Sequence, residues 1–226
     1  MAVTVLPLAY LGNTHYFAKM LGEDCIIDLH EHYRKQSYRS RCEILSPGGI
    51  TPLTVQIKNP GNWPKTTVRD VRIDYSKRWQ HQHWNSIVAS YASAPYFDHF
   101  APLFEPFYTR RFEFLADLNT GLLEIVIKLL GADMPRFSEK YIEPGEGIDD
   151  WREGISPKPQ YALPDPKFRP QPYYQPFPLS EGIAPSHGGF VPGLSIIDLL
   201  FCEGLQAWEI LRRSYLPSTD LAPDSL

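Results

Sequence analysis

The sequence predicts an α+β fold built as one domain over residues 1–226, and three observations carry that expectation. Short β-branched and apolar runs separated by turn residues fill residues 1–76, where an N-terminal β-α-β unit and a β-hairpin are expected to form a mixed sheet. From Lys77 the apolar residues recur at helical spacing, through residue 131. Twelve of the 22 prolines then crowd between Pro135 and Pro192, so residues 132–192 read as an irregular segment, a candidate lid, ahead of C-terminal helices over 193–216.

Ala2 to Leu8 and Cys25 to Leu29 read as strands. Between them Asn13 or Thr14 caps a short helix whose apolar face is Tyr16, Phe17, Met20 and Leu21, and Gly22 stops it. Arg41 to Leu45 and Ile50 to Lys58 flank Ser46-Pro47-Gly48-Gly49, a hairpin turn in which proline presets φ and glycine permits positive φ. Asn59 to Pro64, including Trp63, interrupts the pattern before a shorter strand at Asp70 to Tyr75. Trp84, Ile87, Val88 and Tyr91 share a helical face, and Pro95 opens a second, aromatic helix that Pro102 and Pro106 kink or shorten. A third helix, from about Leu118 to Leu130, has Asp117 as cap, Gly131 as terminator and a Glu124–Lys128 pair on its surface. Its other positions are mostly apolar, which places it centrally in the core.

The proline-rich segment carries Trp151, Tyr161, Phe168, Tyr173, Tyr174 and Phe177, more aromatic surface than a solvated linker holds. It is expected to pack over the domain, with the order of Lys158 to Pro172 left open. Ser195 and Asp198 then stand at capping-box spacing before a C-terminal helix that Gly204 divides, and the tail after Pro217 reads as frayed.

A net charge of −4 removes any overall drive toward duplex nucleic acid. Cys25, Cys42 and Cys202 are odd in number and widely spaced, which fits a reducing compartment better than a disulfide framework. No apolar run approaches the roughly 18 residues of a membrane span. Met1 to Leu11 reads as a core strand rather than a secretion signal, so a cytoplasmic protein is expected.

The richest basic run is Arg34 to Arg41, and within it Lys35 and Arg41 are the first candidates to bind an anionic group, with Tyr38 stacking between them and Trp79 shaping the pocket. The same run also reads as a solvated loop. Asp28, His30 and His32 alternate and would share one face if the strand reached that far, although Glu31, Tyr33 and Arg34 indicate a strand already leaving the core, and no metal is assigned. His81 and His83 cannot share a helical face at that spacing, which leaves His83 as a pocket residue near Trp79. His15 enters a helix after the first strand, where nucleotide-binding α/β folds meet phosphate, and Gly12-Asn13-Thr14-His15 partly resembles a nucleotidyltransferase element. Asp28, His15 and His83 are therefore the acid–base candidates. No G-x-S-x-G, Walker A or G-x-G-x-x-G is present, and the cofactor is left open.

Several segments together resemble one family. Tyr10-Leu11 and Tyr16-Phe17 match an aromatic-Pro-Trp-Gly-Tyr-Phe element in which Gly12-Asn13 replaces Pro-Trp. Tyr33, Lys35, Tyr38, Ser40 and Arg41 follow an aromatic-x-Lys-x-x-Trp-x-Asn-Arg pattern, with Tyr for Trp and Ser for Asn, and Asp28 precedes them with one extra residue. Leu53-Thr54-Val55, Ile73-Asp74 to Trp79, Asp117-Leu118-Asn119 and the closing Leu194 to Leu200 with Gly204 extend the match. The chain thus resembles the WbqC-like family, associated with bacterial O-antigen and other surface-polysaccharide gene clusters. That resemblance implies a surface-polysaccharide setting, and with the anion-binding candidates of the basic run the leading expectation is an enzyme or enzyme-like protein, a transferase acting by group transfer on an anionic small molecule such as a nucleotide-linked amino sugar. The alternative is a noncatalytic binding or assembly protein that uses the aromatic proline-rich segment as a partner surface. Oligomeric state is left open.

Overall fold

The computed structural model describes residues 2–61, 65–176 and 189–216, and Asn62 to Pro64, Phe177 and the tail from Pro217 lie outside them. β1 (Val3–Pro7), α1 (Thr14–Gly22) and β2 (Cys25–Asp28) form the expected β-α-β unit, with the two strands parallel. The Asn13 side-chain oxygen accepts the Tyr16 amide at 2.9 Å, which satisfies one free donor at the start of α1. Gly22 ends the helix without a left-handed cap, since Glu23 after it is extended. What Gly22 supplies is room: a Cβ there would lie 2.3 Å from the Tyr215 ring.

The hairpin forms as β3 (Arg41–Ser46) and β4 (Gly49–Thr54), antiparallel, with Arg41 opposite Thr54 and Ser46 opposite Gly49. It makes a two-stranded sheet of its own beside the parallel one. The short strand expected at Asp70 to Tyr75 is replaced by a tight turn, Val68–Asp70, and by single bridges Ile57–Ile73 and Arg72–Phe114. Lone partners on either side leave no continuous ladder to extend.

The largest departure concerns the proline-rich segment, which contributes two strands, β5 (Arg136–Phe137) and β6 (Ile148–Asp150). All four strands of this sheet are parallel, in the order β5-β2-β1-β6. The chain therefore steps outward from β1 through β2 to β5, then returns to the other side of β1, so the order reverses between β1 and β6. Residues 165–169 also pack down: the Arg169 amide donates to the Ser214 carbonyl at 2.8 Å, and the Leu216 amide to the Lys167 carbonyl at 2.9 Å.

The helical part comprises α2 (Trp79–Tyr91), α3 (Phe97–Phe104), α4 (Pro106–Thr109) and α5 (Leu115–Leu130). α5 begins ahead of the expected Asp117 cap, which leaves Asp117 in the first turn, where its charge complements the helix dipole. Gly131 ends α5 in the left-handed conformation at φ 65°. α6 (Ile196–Glu203) and α7 (Ala207–Arg213) follow. The capping box expected at α6 does not form. Ser195 Oγ donates to the Leu11 carbonyl at 2.8 Å, and the buried Asp198 carboxylate accepts the Tyr91 and Tyr173 hydroxyls at 2.7 and 2.6 Å. Burial raises the Asp198 pKa against those two donors.

Leu6, Phe17, Ile27, Leu118, Leu122, Leu199 and Phe201 belong to one continuous apolar core. Among the described residues no helix is long and apolar enough to cross a membrane.

Candidate functional site

Strand register divides the polar groups of the parallel sheet between its two faces. Thr4, Cys25 and Asp149 are aligned and lie toward α1: Cys25 Sγ donates to the Lys19 carbonyl, and Thr4 Oγ1 donates to Asp149. Val5, Ile26 and Asp150 are aligned on the opposite face, where Asp28 also lies.

On that second face Asp28 sits at the end of β2, fully buried. Its Oδ1 accepts Ser138 Oγ at 2.8 Å and the His30 amide at 2.9 Å. Its Oδ2 accepts Arg152 Nη1 at 2.7 Å and the Ile142 amide at 3.2 Å. The buried Arg152 also donates from Nε to Asp150 at 2.9 Å and lies 4.6 Å below the centre of the Tyr141 ring. The pair thus ties β2 to β6 across β1, and the crossing segment that carries Ser138 to Ile142 is held to both.

Next to it, buried Arg39 grips buried Glu31 with two parallel hydrogen bonds, Nε to Oε1 at 2.8 Å and Nη2 to Oε2. Arg39 Nη2 also donates to the Arg152 carbonyl at 2.9 Å and to Glu153 at 3.1 Å. Burial pushes the Glu31 carboxyl up to about 7, against the pull of the Arg39 guanidinium. A cleft of about 200 Å³ opens over this network, with Glu31, His32, Arg34, Tyr141 and Glu153 in its walls. It lies at the carboxyl ends of β2 and β6, around the point where strand order reverses. Open α/β sheets bind their ligands at that position.

The α1 face carries a different cluster. His15 Nε2 lies 2.8 Å from Asp165 Oδ2, and its ring stacks on Phe168 at 4.2 Å. Lys19, almost wholly buried, places Nζ 2.9 Å from the Tyr215 hydroxyl, 3.1 Å from the same Asp165 oxygen and 3.8 Å above the Trp151 ring. Burial opposes ionisation of Asp165, but His15 and Lys19 outweigh it and hold the carboxyl at about 2. Lys167 adds a 2.6 Å bond to Glu23. These contacts fasten residues 165–169 over α1.

The residues expected at the site are dispersed by the fold. Asp28 is the buried tie just described, and His15 is on the opposite face of the sheet. His83 is buried: Tyr10 Oη lies 3.0 Å from its Nδ1 and 3.0 Å from Tyr108 Oη, and Trp79 stands edge-on at 5.1 Å. Burial lowers the His83 pKa to about 4, so the ring is neutral at pH 7. Tyr38 and Arg41 do meet, at the hairpin root, where both donate to Glu43, at 3.4 and 2.9 Å. Neither Arg41 nor the exposed Lys35 lines the cleft, and Arg34 does. β2 stops at Asp28, so His30 and His32 do not continue its alternation.

Glu31, Arg39, Tyr141, Arg152 and Asp165 were not singled out by sequence. Arg34 and Arg39 belong to the basic run that was, whereas Tyr141, Arg152 and Asp165 meet His32, Asp28 and His15 over more than a hundred residues and leave no local signal.

No curated protein and no solved structure matches the chain. The profile of the WbqC-like protein family matches residues 9–152, more than half of the sequence, from the β1–α1 loop to the arginine that closes the Asp28 tie. The chain belongs to the WbqC-like protein family.

Proposed function

We propose that this protein is an enzyme of bacterial surface-polysaccharide metabolism that acts by group transfer on an anionic small molecule, such as a nucleotide-linked amino sugar, in the cleft at the carboxyl ends of β2 and β6. One observation carries the reading: at the reversal of strand order, the same cleft holds an outward-reaching guanidinium, Arg34, and a buried carboxyl, Glu31, whose pKa is about 7. The Arg34 side chain is 66% exposed and, among the described residues, pairs with exposed Glu153 at 3.0 Å. Such surface pairs contribute about 1 kcal/mol or less, so Arg34 can exchange Glu153 for a phosphate or carboxylate. Glu31 can accept a proton and return it at neutral pH, which an attacking amine requires as it forms its new bond. Its oxygens keep acceptor capacity beyond the two Arg39 bonds. The acid–base role thus passes from Asp28, whose oxygens are filled by four donors, to Glu31. The resemblance to the family supports the polysaccharide setting.

The test is thermal stabilisation of the purified protein by nucleotides, nucleotide sugars, sugar phosphates and amino acids, because specific binding raises apparent stability by mass action. A nucleotide sugar is expected to raise the melting temperature of the wild type, Arg34→Ala to weaken that shift, and Glu31→Gln to bind without turnover. A folded protein that no anionic ligand stabilises would overturn the reading. It would also favour the alternative of a partner surface, which rests on the exposure of Tyr161, Leu163 and Tyr174 at 62, 53 and 59% in the proline-rich segment.

A further inference from the structure

Two aromatic rings stand in the walls of the cleft. Tyr141 comes from the segment that crosses from β5 to β6, and His32 follows β2 by four residues. Their ring centres are 6.3 Å apart and their planes only 20° from parallel. That separation is at the long end of the range for rings that pair directly, so the two do not cover one another. The Arg152 guanidinium already occupies one face of Tyr141, at 4.6 Å, and its ties to Asp28 and Asp150 hold it there. Tyr141 is nevertheless 38% exposed and His32 is exposed as well. The free surface of Tyr141 therefore faces the cleft rather than the core.

From this arrangement we infer that Tyr141 and His32 form a stacking platform for a nucleobase, with Arg34 at the cleft mouth taking the phosphate of the same nucleotide. The inference rests on the reading of the cleft as an anionic-ligand site and names which part of the ligand lies where. Aromatic faces accept any base, because every base offers a π-face, so the platform selects for a nucleotide rather than for one nucleotide. The fixed guanidinium beneath Tyr141 holds that ring in one orientation, which lowers the ordering cost of stacking on it. The open cleft of about 200 Å³ offers the base a place against the rings, with the sugar and phosphate directed outward to exposed Arg34.

Titration calorimetry with uridine and adenosine monophosphates, set against ribose 5-phosphate, separates base from phosphate. The wild type is expected to bind at least one nucleotide roughly tenfold or more tightly than ribose phosphate, the gain stacking on an aromatic face provides. Tyr141→Ala and His32→Ala should each remove most of that gain and leave ribose phosphate affinity unchanged, and Tyr141→Phe should retain it. His32→Ala alters only an exposed side chain, so it remains informative if Tyr141→Ala fails to fold. Ribose phosphate bound as tightly as both nucleotides, or a gain that survives in the folded variants, would overturn the platform and leave the anion site standing. Absence of binding by all three ligands would remove both.

Discussion

The two faces of the parallel sheet near β1 and β6 hold the same materials: carboxylates, cations and aromatic rings. Toward α1, Asp165 is shared by His15 and Lys19, and Phe168 and Tyr215 close over them. On the other face Asp28 and Arg152 are equally buried, yet the network continues outward through Glu31 and Glu153 to exposed Arg34. The difference is in what lies above. Residues 165–169 are tied down over the first cluster, so its charges serve attachment. Nothing comparable covers the second among the described residues, and its charges remain able to meet a ligand. Buried ion pairs as such do not mark a functional site, because each must be satisfied wherever it occurs.

Removing the central carboxylate on each face tests this contrast. Asp28→Asn should have the largest effect: it leaves Arg152 buried with its charge only partly matched, at a cost of about 3–5 kcal/mol in chemical denaturation. A loss under about 1 kcal/mol would show that the tie across β1 is dispensable. Asp165→Asn should cost less, roughly 2–3 kcal/mol, because Lys19 keeps the Tyr215 hydroxyl and the Trp151 ring. Its distinctive mark is local. Hydrogen exchange at the amides of Arg169 and Leu216 should accelerate, and unchanged protection there would mean that residues 165–169 are held by packing alone.

The smallest effect, and the sharpest in sign, is the dependence of stability on pH. The Glu31 pKa is raised, so the folded state holds its proton more tightly than the unfolded chain does. Its contribution is full below about pH 4.5 and is lost as pH rises toward 7. The Asp165 pKa is lowered, so its contribution is present above about pH 4 and is lost as pH falls toward 2. Denaturation across this range should show the first slope disappear in Glu31→Gln and the second in Asp165→Asn. A variant that alters neither slope would remove its carboxyl from the account.

Local chemistry made much of the fold legible. The hairpin follows from Pro47, Gly48 and Gly49 between two β-branched runs, α1 from the Asn13 cap, and the end of α5 from Gly131, because in each case the deciding contact lies within a few residues. The sequence also marked the Arg34 to Arg41 run, which supplies Arg34 and Arg39, but it chose Lys35 and Arg41, whose surroundings it could not see.

The remainder was decided in three dimensions. β5 and β6 span two and three residues, too few to show a period of two, and are strands only because β2 and β1 offer them edges. Ser195 and Asp198 had the spacing of a cap, yet Leu11, Tyr91 and Tyr173 gave them better partners from across the domain. The same holds for the site. Tyr141 and Arg152 are ordinary residues in a proline-rich stretch until the crossing from β5 to β6 lays them beside Asp28. Sequence by itself determined the elements whose hydrogen bonds close locally, while tertiary structure alone decided which buried charges meet and which of them remain open to solvent, because those partners are distant in the chain.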